Sequence, residues 1–134
     1  MVAVLLGMAT MALRSFRELD VWQLAMDLVS QVYKLTMSFQ HPHRYELGRQ
    51  MREASISVPS NIAEGYMQHS RRVYLRHLHI AAGSVAELET QLEAVTRLSI
   101  AEAGPTKVAA ATCGRVGRML NVLVARLSER TGEA

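Results

Sequence analysis

Apolar residues recur along most of this chain at spacings of three and four, the period of helices that each bury one side. The first run follows Ser15-Phe16-Arg17-Glu18, which has the form of a capping box. The Ser15 hydroxyl is placed to accept from the Glu18 amide, and the Glu18 carboxylate to reach back. Beyond it Leu24, Leu28, Val32 and Leu35 form one row, and Trp22, Met26, Val29 and Tyr33 a second. Two adjacent rows predict a broad buried face. Pro42 disfavours helical geometry at His41, so this helix is expected to end near Phe39.

A second helix is expected from about Arg44 through Leu47, Met51, Ala54 and Val58. Pro59 removes a backbone donor and crowds the Ser55 carbonyl, which predicts a kink, with Ser57 and Ser60 placed to satisfy the stranded groups. Gly65 suits the left-handed position that follows a last helical turn, so the helix is expected to end there.

The third helix carries the clearest pattern. Ser70 is its N-cap, and Tyr74, Leu78, Ala81, Val85, Leu88, Leu92 and Val95 follow at alternating spacings of four and three, to an end near Ser99. A sustained heptad calls for shallow-angle packing along the whole length. Ala81, Ala82, Gly83 and Ser84 form a small-residue waist at its centre. An interior glycine costs about 1 kcal/mol relative to Ala, which predicts close packing or a ligand at Gly83.

Pro105 suits the first turn of a fourth helix, where its missing donor does no harm. Thr112, Val116, Met119, Leu120, Leu123 and Leu127 give its apolar face, with Arg115, Arg118, Arg126 and Arg130 mostly outside it and Gly132 past the end. The fold class predicted is all-α, an up-and-down four-helix bundle. It forms one domain over residues 14–130, with an apolar N-terminal tail at 1–13 and a short C-terminal tail at 131–134.

Composition agrees, with 49% hydrophobic residues but only 5% aromatic, where a sheet protein would carry more aromatic and β-branched residues. The single cysteine, Cys113, excludes an internal disulfide and a multi-cysteine zinc site, and is expected as a buried, inert thiol in a reducing cytoplasm. Met1 to Leu13 is nearly all apolar, yet shorter than the ~20 residues that span a bilayer. Arg14 and Arg17 follow that stretch instead of preceding it, unlike an export signal. An over-extended start, a free tail or an arm docked on a neighbouring subunit are the readings it allows, with no membrane role and a cytoplasmic location.

The formal charge of +3 is unevenly spread. Residues 41–79 and 105–130 are basic, whereas 80–104 carry Glu87, Glu89, Glu93 and Glu102 against Arg97. Such blocks complement one another between helices or subunits, or face a polyanion.

Candidate chemistry is sparse. No Glu-x-x-His pair of the kind used by bundle di-iron sites occurs, and His77 and His79 point about 200° apart on a helix. Ser57, Ser60 and Ser84 lack a dedicated His–Asp partner, and no phosphate-binding loop or dinucleotide fingerprint is present. No enzymatic activity, metal or cofactor is expected. Glu64, Glu87, Glu89, Glu93, His69, His77 and His79 are instead expected as surface or interhelical hydrogen-bonding groups. Arg44, Arg49, Arg52, Arg71, Arg72 and Arg76 are candidates for phosphate contacts, expected on the end of the second helix and the start of the third, around the turn between them and the preceding link. Tyr45, Tyr66 and Tyr74 offer stacking surfaces. With no nucleic-acid motif, any such binding is expected to be electrostatic and sequence-tolerant.

Phe16-Arg17-Glu18-Leu19-Asp20-Val21-Trp22-Gln23, Gly48-Arg49-Gln50-Met51-Arg52-Glu53-Ala54, Ser57-Val58-Pro59-Ser60-Asn61-Ile62-Ala63-Glu64-Gly65 and Gly83-Ser84-Val85-Ala86-Glu87-Leu88-Glu89-Thr90 occur in that order. Together they resemble the four-helix bundle proteins of the ribosomal RNA intervening-sequence family, encoded by insertions in bacterial large-subunit ribosomal RNA genes and by stand-alone bacterial genes. The fold also looks similar to the accessory variability determinant of diversity-generating retroelements, a ring-shaped homopentamer that binds a reverse transcriptase and nucleic acid. The resemblance implies a homopentamer, and that Ser57, Pro59, Asn61, Glu64, Gly65, Ser84, Glu87 and Glu89 belong to the family pattern. It supplies no catalytic role for them. On physical grounds Asn61 and Glu64 are expected to hydrogen-bond across to Ser84 and the region of Glu87. Two functional classes stay open: a scaffold that binds RNA, DNA or a nucleic-acid enzyme such as a reverse transcriptase through basic surfaces, and an assembly whose only partners are proteins.

Overall fold

Four helices follow one another along the chain: α1 (Asp20–Met37), α2 (Leu47–Met67), α3 (Arg71–Arg97) and α4 (Ala103–Thr131), preceded by one 3-10 turn at Phe16–Glu18. The structure is a computed structural model that describes residues 15–131, with side chains as far as Glu129. The tail predicted at 1–13, Gly132 and the Arg130 side chain lie outside the described residues; Thr131, assigned to the C-terminal tail, still belongs to α4. Because the links at 38–46, 68–70 and 98–102 are short, successive helices run antiparallel. α1 packs on α2 and α4, and α3 on the same two, with no diagonal contact. This is the four-helix, all-α architecture that the periodicity predicts.

The heptad of α3 is the central seam, and Tyr74, Leu78, Ala81, Val85, Leu88, Leu92 and Val95 are all buried. Opposite them lie Leu28 and Val32 of α1, Val58 and Ile62 of α2, and Val116 and Leu120 of α4, each without solvent exposure. The second apolar row of α1 departs from expectation. Trp22 and Val29 are half-buried, while Met26 and Tyr33 remain 39% and 41% exposed. Its neighbours α2 and α4 are fully occupied with the first row, so the second row reaches the surface.

The helix ends also differ. Ser15 Oγ accepts from the Arg17 amide at 3.0 Å, while the Glu18 amide bonds to the Ser15 carbonyl, which closes a 3-10 turn. α1 therefore starts only at Asp20 and ends at Met37, two residues short of Phe39. The stretch 41–46 turns on itself, with the Tyr45 and Glu46 amides on the Pro42 carbonyl, so α2 begins at Leu47 and not near Arg44.

α2 then runs through Pro59 without a break and does not stop at Gly65. The left-handed residue past its end is His69, at φ 55°. Gly65 serves a different purpose inside the helix. A Cβ there would lie 2.7 Å from His77 Cβ and 2.9 Å from Tyr74 Cδ1, so its absence is what lets α2 and α3 approach.

Gly83, by contrast, is exposed, and a Cβ built on it meets nothing within 4 Å. The close approach expected at the waist thus falls at Gly65, on the facing helix. Ser70 caps α3 as predicted, accepting from the Val73 amide. Ser99, at φ 54°, lies one residue past the cap. The Ile100 amide reaches the Val95 carbonyl at 3.0 Å and the Ser99 amide the Thr96 carbonyl at 3.2 Å, a Schellman turn.

Candidate functional site

The polar residues of the two motif segments meet in the α2–α3 interface. Ser57 Oγ and Ser84 Oγ are 2.7 Å apart and share one hydrogen bond. One turn further along α2, Asn61 Nδ2 donates to the Ser57 carbonyl at 2.9 Å and to Ser57 Oγ at 3.2 Å. Its Oδ1 then faces His77 Nδ1 at 2.9 Å, and with the amide nitrogen committed as donor the imidazole donates. Glu64 Oε1 lies 3.7 Å from the same ring nitrogen. A continuous polar chain therefore links Ser84, Ser57, Asn61, His77 and Glu64.

Antiparallel pairing decides the partners. Moving four residues on along α2, from Ser57 to Asn61, moves seven back along α3, from Ser84 to His77. Glu87 lies in the other direction, so the contact expected between Asn61 or Glu64 and the Glu87 region does not form. Gln91 Nε2 donates to Glu87 within α3, and Glu89 is exposed on another side of that helix. Pro59 is buried in the bundle and Gly65 is the point of closest approach. His77, expected only as a surface or interhelical group, is the hub; the signal available was its distance from Ser84 measured against helix direction.

The imidazole contacts an amide and a carboxylate, not a serine hydroxyl, so neither Ser57 nor Ser84 has a base within reach. Among the described residues no group of three or more His, Cys, Asp or Glu side chains is gathered to hold a metal ion. Cys113 is fully buried; burial, and then the charge of Glu89, push its thiol up to about 12, and it donates to the Val85 carbonyl at 3.7 Å.

The six candidate arginines divide into two sets at opposite ends of the bundle. Arg44, Arg49 and Arg52 flank the start of α2, while Arg71, Arg72 and Arg76 open α3. From Arg49 to the end of α2 the helix rises roughly 27 Å, so one protomer does not bring the sets together. The first set is largely engaged. Arg52 Nη1 donates to Thr36 Oγ1 at 3.0 Å, its Nη2 to the Arg44 carbonyl at 3.3 Å, and its guanidinium lies 5.9 Å from the Tyr33 ring centre. Arg49 pairs with Glu53 at 3.5 Å. In the second set Arg72 and Arg76 are exposed and enter no ion pair among the described residues. Arg71 and Arg72 occupy the first turn of α3, which holds no acidic residue.

The same end holds cations that the linear sequence separates. Arg17 precedes α1, and Arg118 and Arg126 of α4 line a groove with Leu19, Asp20 and Val21. Antiparallel topology is the signal that groups them. Of the tyrosines, Tyr74 is 2% exposed and offers no stacking surface, and Tyr66 meets it edge-on. Tyr45 is exposed beside His41. A cleft of about 1030 Å³ is at the other end, between Gln31, Lys34 and Ser38 of the α1 end and Leu98, Ile100 and Pro105. None of the motif residues lines it.

A family model described as 23S rRNA-intervening sequence protein matches residues 17–122. The chain belongs to this family. The matched stretch runs from the turn before α1 into the second half of α4, so the polar joint and both arginine sets fall within it. A solved structure from Bacteroides thetaiotaomicron, a protein of unknown function from the S23 ribosomal protein family, is similar in fold, with a TM-score of 0.70 at 18% identity. The likeness covers 78% of this chain and 97% of that one. No curated protein matches the chain. Among the described residues of this family member, α4 is the one helix long and apolar enough to cross a membrane, over Ala103–Glu129, with 33% of its apolar window buried. Its buried residues are core residues of the bundle, and Arg115, Arg118 and Arg126 stand on its exposed side.

Proposed function

We propose that this member of the 23S rRNA-intervening sequence family is a non-enzymatic, oligomeric scaffold that binds nucleic acid, or a protein working on nucleic acid such as a reverse transcriptase, through basic surfaces. Assembly as a ring, a pentamer by the resemblance, and a cytoplasmic location without membrane contact belong to the same reading. The observation that carries it is the start of α3. Arg71 and Arg72 stand where the helix dipole is already positive, and each cation so placed costs about 0.3–1 kcal/mol. A phosphate at that end reverses the sign of this term and takes the free backbone amides of the first turn as well. Arg76, one turn on from Arg72, extends the same exposed stripe.

Fluorescence anisotropy of a labelled single-stranded RNA and a DNA duplex, across about 50–200 mM salt, tests this. Log affinity is expected to fall linearly with log salt for both, and the Arg72→Ala/Arg76→Ala variant to bind more weakly with a shallower slope. No binding at the lowest salt overturns direct nucleic-acid binding and leaves only the protein partner. The internal bonds of Arg52 and the Arg49–Glu53 pair favour the protein-only alternative for the other end of the bundle. Dissociation of the assembly at high salt, without RNA binding at any salt, supports that alternative.

A further inference from the structure

The cleft between the end of α1 and the start of α4 is lined by neither the polar joint nor either arginine set. It holds about 1030 Å³, the upper end of the scale of small-molecule pockets, roughly 300–1,000 Å³. Buried Leu35 and half-buried Ile100 form an apolar floor, and Leu98 and Val108 an apolar rim, 67% and 55% exposed. No large apolar side chain among the described residues is more open than Leu98. Backbone bonds hold both sides. The Schellman turn after α3 fixes Leu98 to Ile100, and the Gly48 amide donates to the His43 carbonyl at 2.8 Å. The site is therefore formed before anything enters it, which lowers the ordering cost of binding.

The polar groups of the same lining lack partners in the protomer. Lys34 is exposed and enters no ion pair among the described residues. Gln31, three residues earlier on α1, keeps its side-chain oxygen buried with no hydrogen-bond partner. Turning that oxygen towards an incoming donor therefore breaks no bond and removes the cost of leaving it bare. His43 adds a ring nitrogen on the other side of the opening. The one carboxylate of the lining is Glu102, exposed at the start of α4, where the helix dipole already balances it. The unopposed charge of the cleft is thus the ammonium of Lys34.

We propose that this cleft binds a small amphipathic carboxylate that carries an N–H or O–H group close to the acid. The apolar body lies on Leu35, Leu98, Ile100 and Val108, the carboxylate pairs with Lys34, and the donor meets the Gln31 oxygen. Gln31 and Lys34 stand three residues apart, a rise of roughly 4.5 Å along one side of α1, which suits a donor and an acid separated by one or two carbons. N-acylated amino acids are the simplest compounds of that class. The site is independent of the nucleic-acid reading, because the open arginines at the start of α3 lie at the opposite end of the bundle.

Fluorescence titration with anilinonaphthalene sulfonate, an apolar anion with one N–H, tests this on the full chain. One saturable site per protomer is expected. N-dodecanoylglycine, kept below its micelle concentration, is expected to displace the dye and to raise the melting temperature, as a ligand of the folded state does. Dodecanoate, which lacks the N–H, is expected to compete about threefold less well. Dodecyltrimethylammonium, with the opposite charge, is expected not to compete. Lys34→Glu is expected to weaken N-dodecanoylglycine about tenfold and Lys34→Arg to restore it. Leu98→Ser weakens both carboxylates, Gln31→Leu removes the preference between them, and Arg72→Ala changes neither. Lys34 and Leu98 are exposed, so their variants are expected to keep native circular dichroism. Equal displacement by the cationic and anionic amphiphiles, a lowered melting temperature, or affinities unmoved by Lys34→Glu and Leu98→Ser overturn the assignment. RNA binding lost or kept in the wild type bears only on the proposed function.

Discussion

His77 Nδ1 of α3 lies 2.9 Å from Asn61 Oδ1 of α2, and the same Asn61 amide holds the Ser57 carbonyl and hydroxyl through its nitrogen. One side chain thus spans one turn of its own helix and ties it to the neighbour. A shift of one residue along α3 would carry His77 about 100° around the helix and strand these polar groups in a partly buried interface. Ser57, Asn61 and His77 are thereby tied together across the α2–α3 interface.

The glycines give a paired prediction. Gly65→Ala places a methyl group within 3 Å of His77 and Tyr74 and is expected to destabilise the fold by about 1–3 kcal/mol in urea titrations. Gly83→Ala meets open space on an exposed helix side and is expected to stabilise by about 0.5–1 kcal/mol. Opposite signs for these two changes follow from geometry alone.

The arginines separate in the same way. Arg52→Ala removes bonds to Thr36 and to the Arg44 carbonyl in a half-buried setting, and is expected to lower stability by roughly 1–2 kcal/mol. Arg72→Ala is expected to stay within about 0.5 kcal/mol of wild type in the same titration and to weaken RNA binding.

Cys113 provides a pH dependence. Burial disfavours its thiolate, so a thiol reagent at pH 8 is expected to react only with unfolded protein. Above its ordinary 9.0 the unfolded chain releases the thiol proton, whereas the folded chain holds it to about 12. Stability is therefore expected to fall as pH rises through that window. Cys113→Ala, measured by denaturant titration from pH 8 to 11, should flatten the slope, although it lowers stability at every pH by leaving a small cavity.

Much of this architecture is legible from spacing. The α3 heptad, the Ser70 cap and the place of Pro105 in the first turn of α4 each rest on a local rule, and each stands as predicted. What spacing does not reveal is which apolar row the protomer keeps for itself. The Trp22, Met26, Val29, Tyr33 row has the same period as the buried row beside it, and only the crowding of four helices divides them. Gly65 and Gly83 look alike in sequence, as interruptions of helical runs. The antiparallel pairing that sets Gly65 against His77 and Tyr74 is a tertiary fact. The same pairing explains why His77, and not Glu87, completes the polar joint, and why Arg17 and Arg126 belong to one end.

The most direct test of the claim that the family motif builds the protomer is a double-mutant cycle on Asn61→Ala and His77→Ala, read as unfolding free energy. Each single change is expected to cost about 1–3 kcal/mol, and the double change less than their sum by roughly 0.5–1.5 kcal/mol, with RNA affinity unaltered by either. Strictly additive losses, or unchanged stability together with lost RNA binding, would contradict the account and place the motif in a ligand site instead.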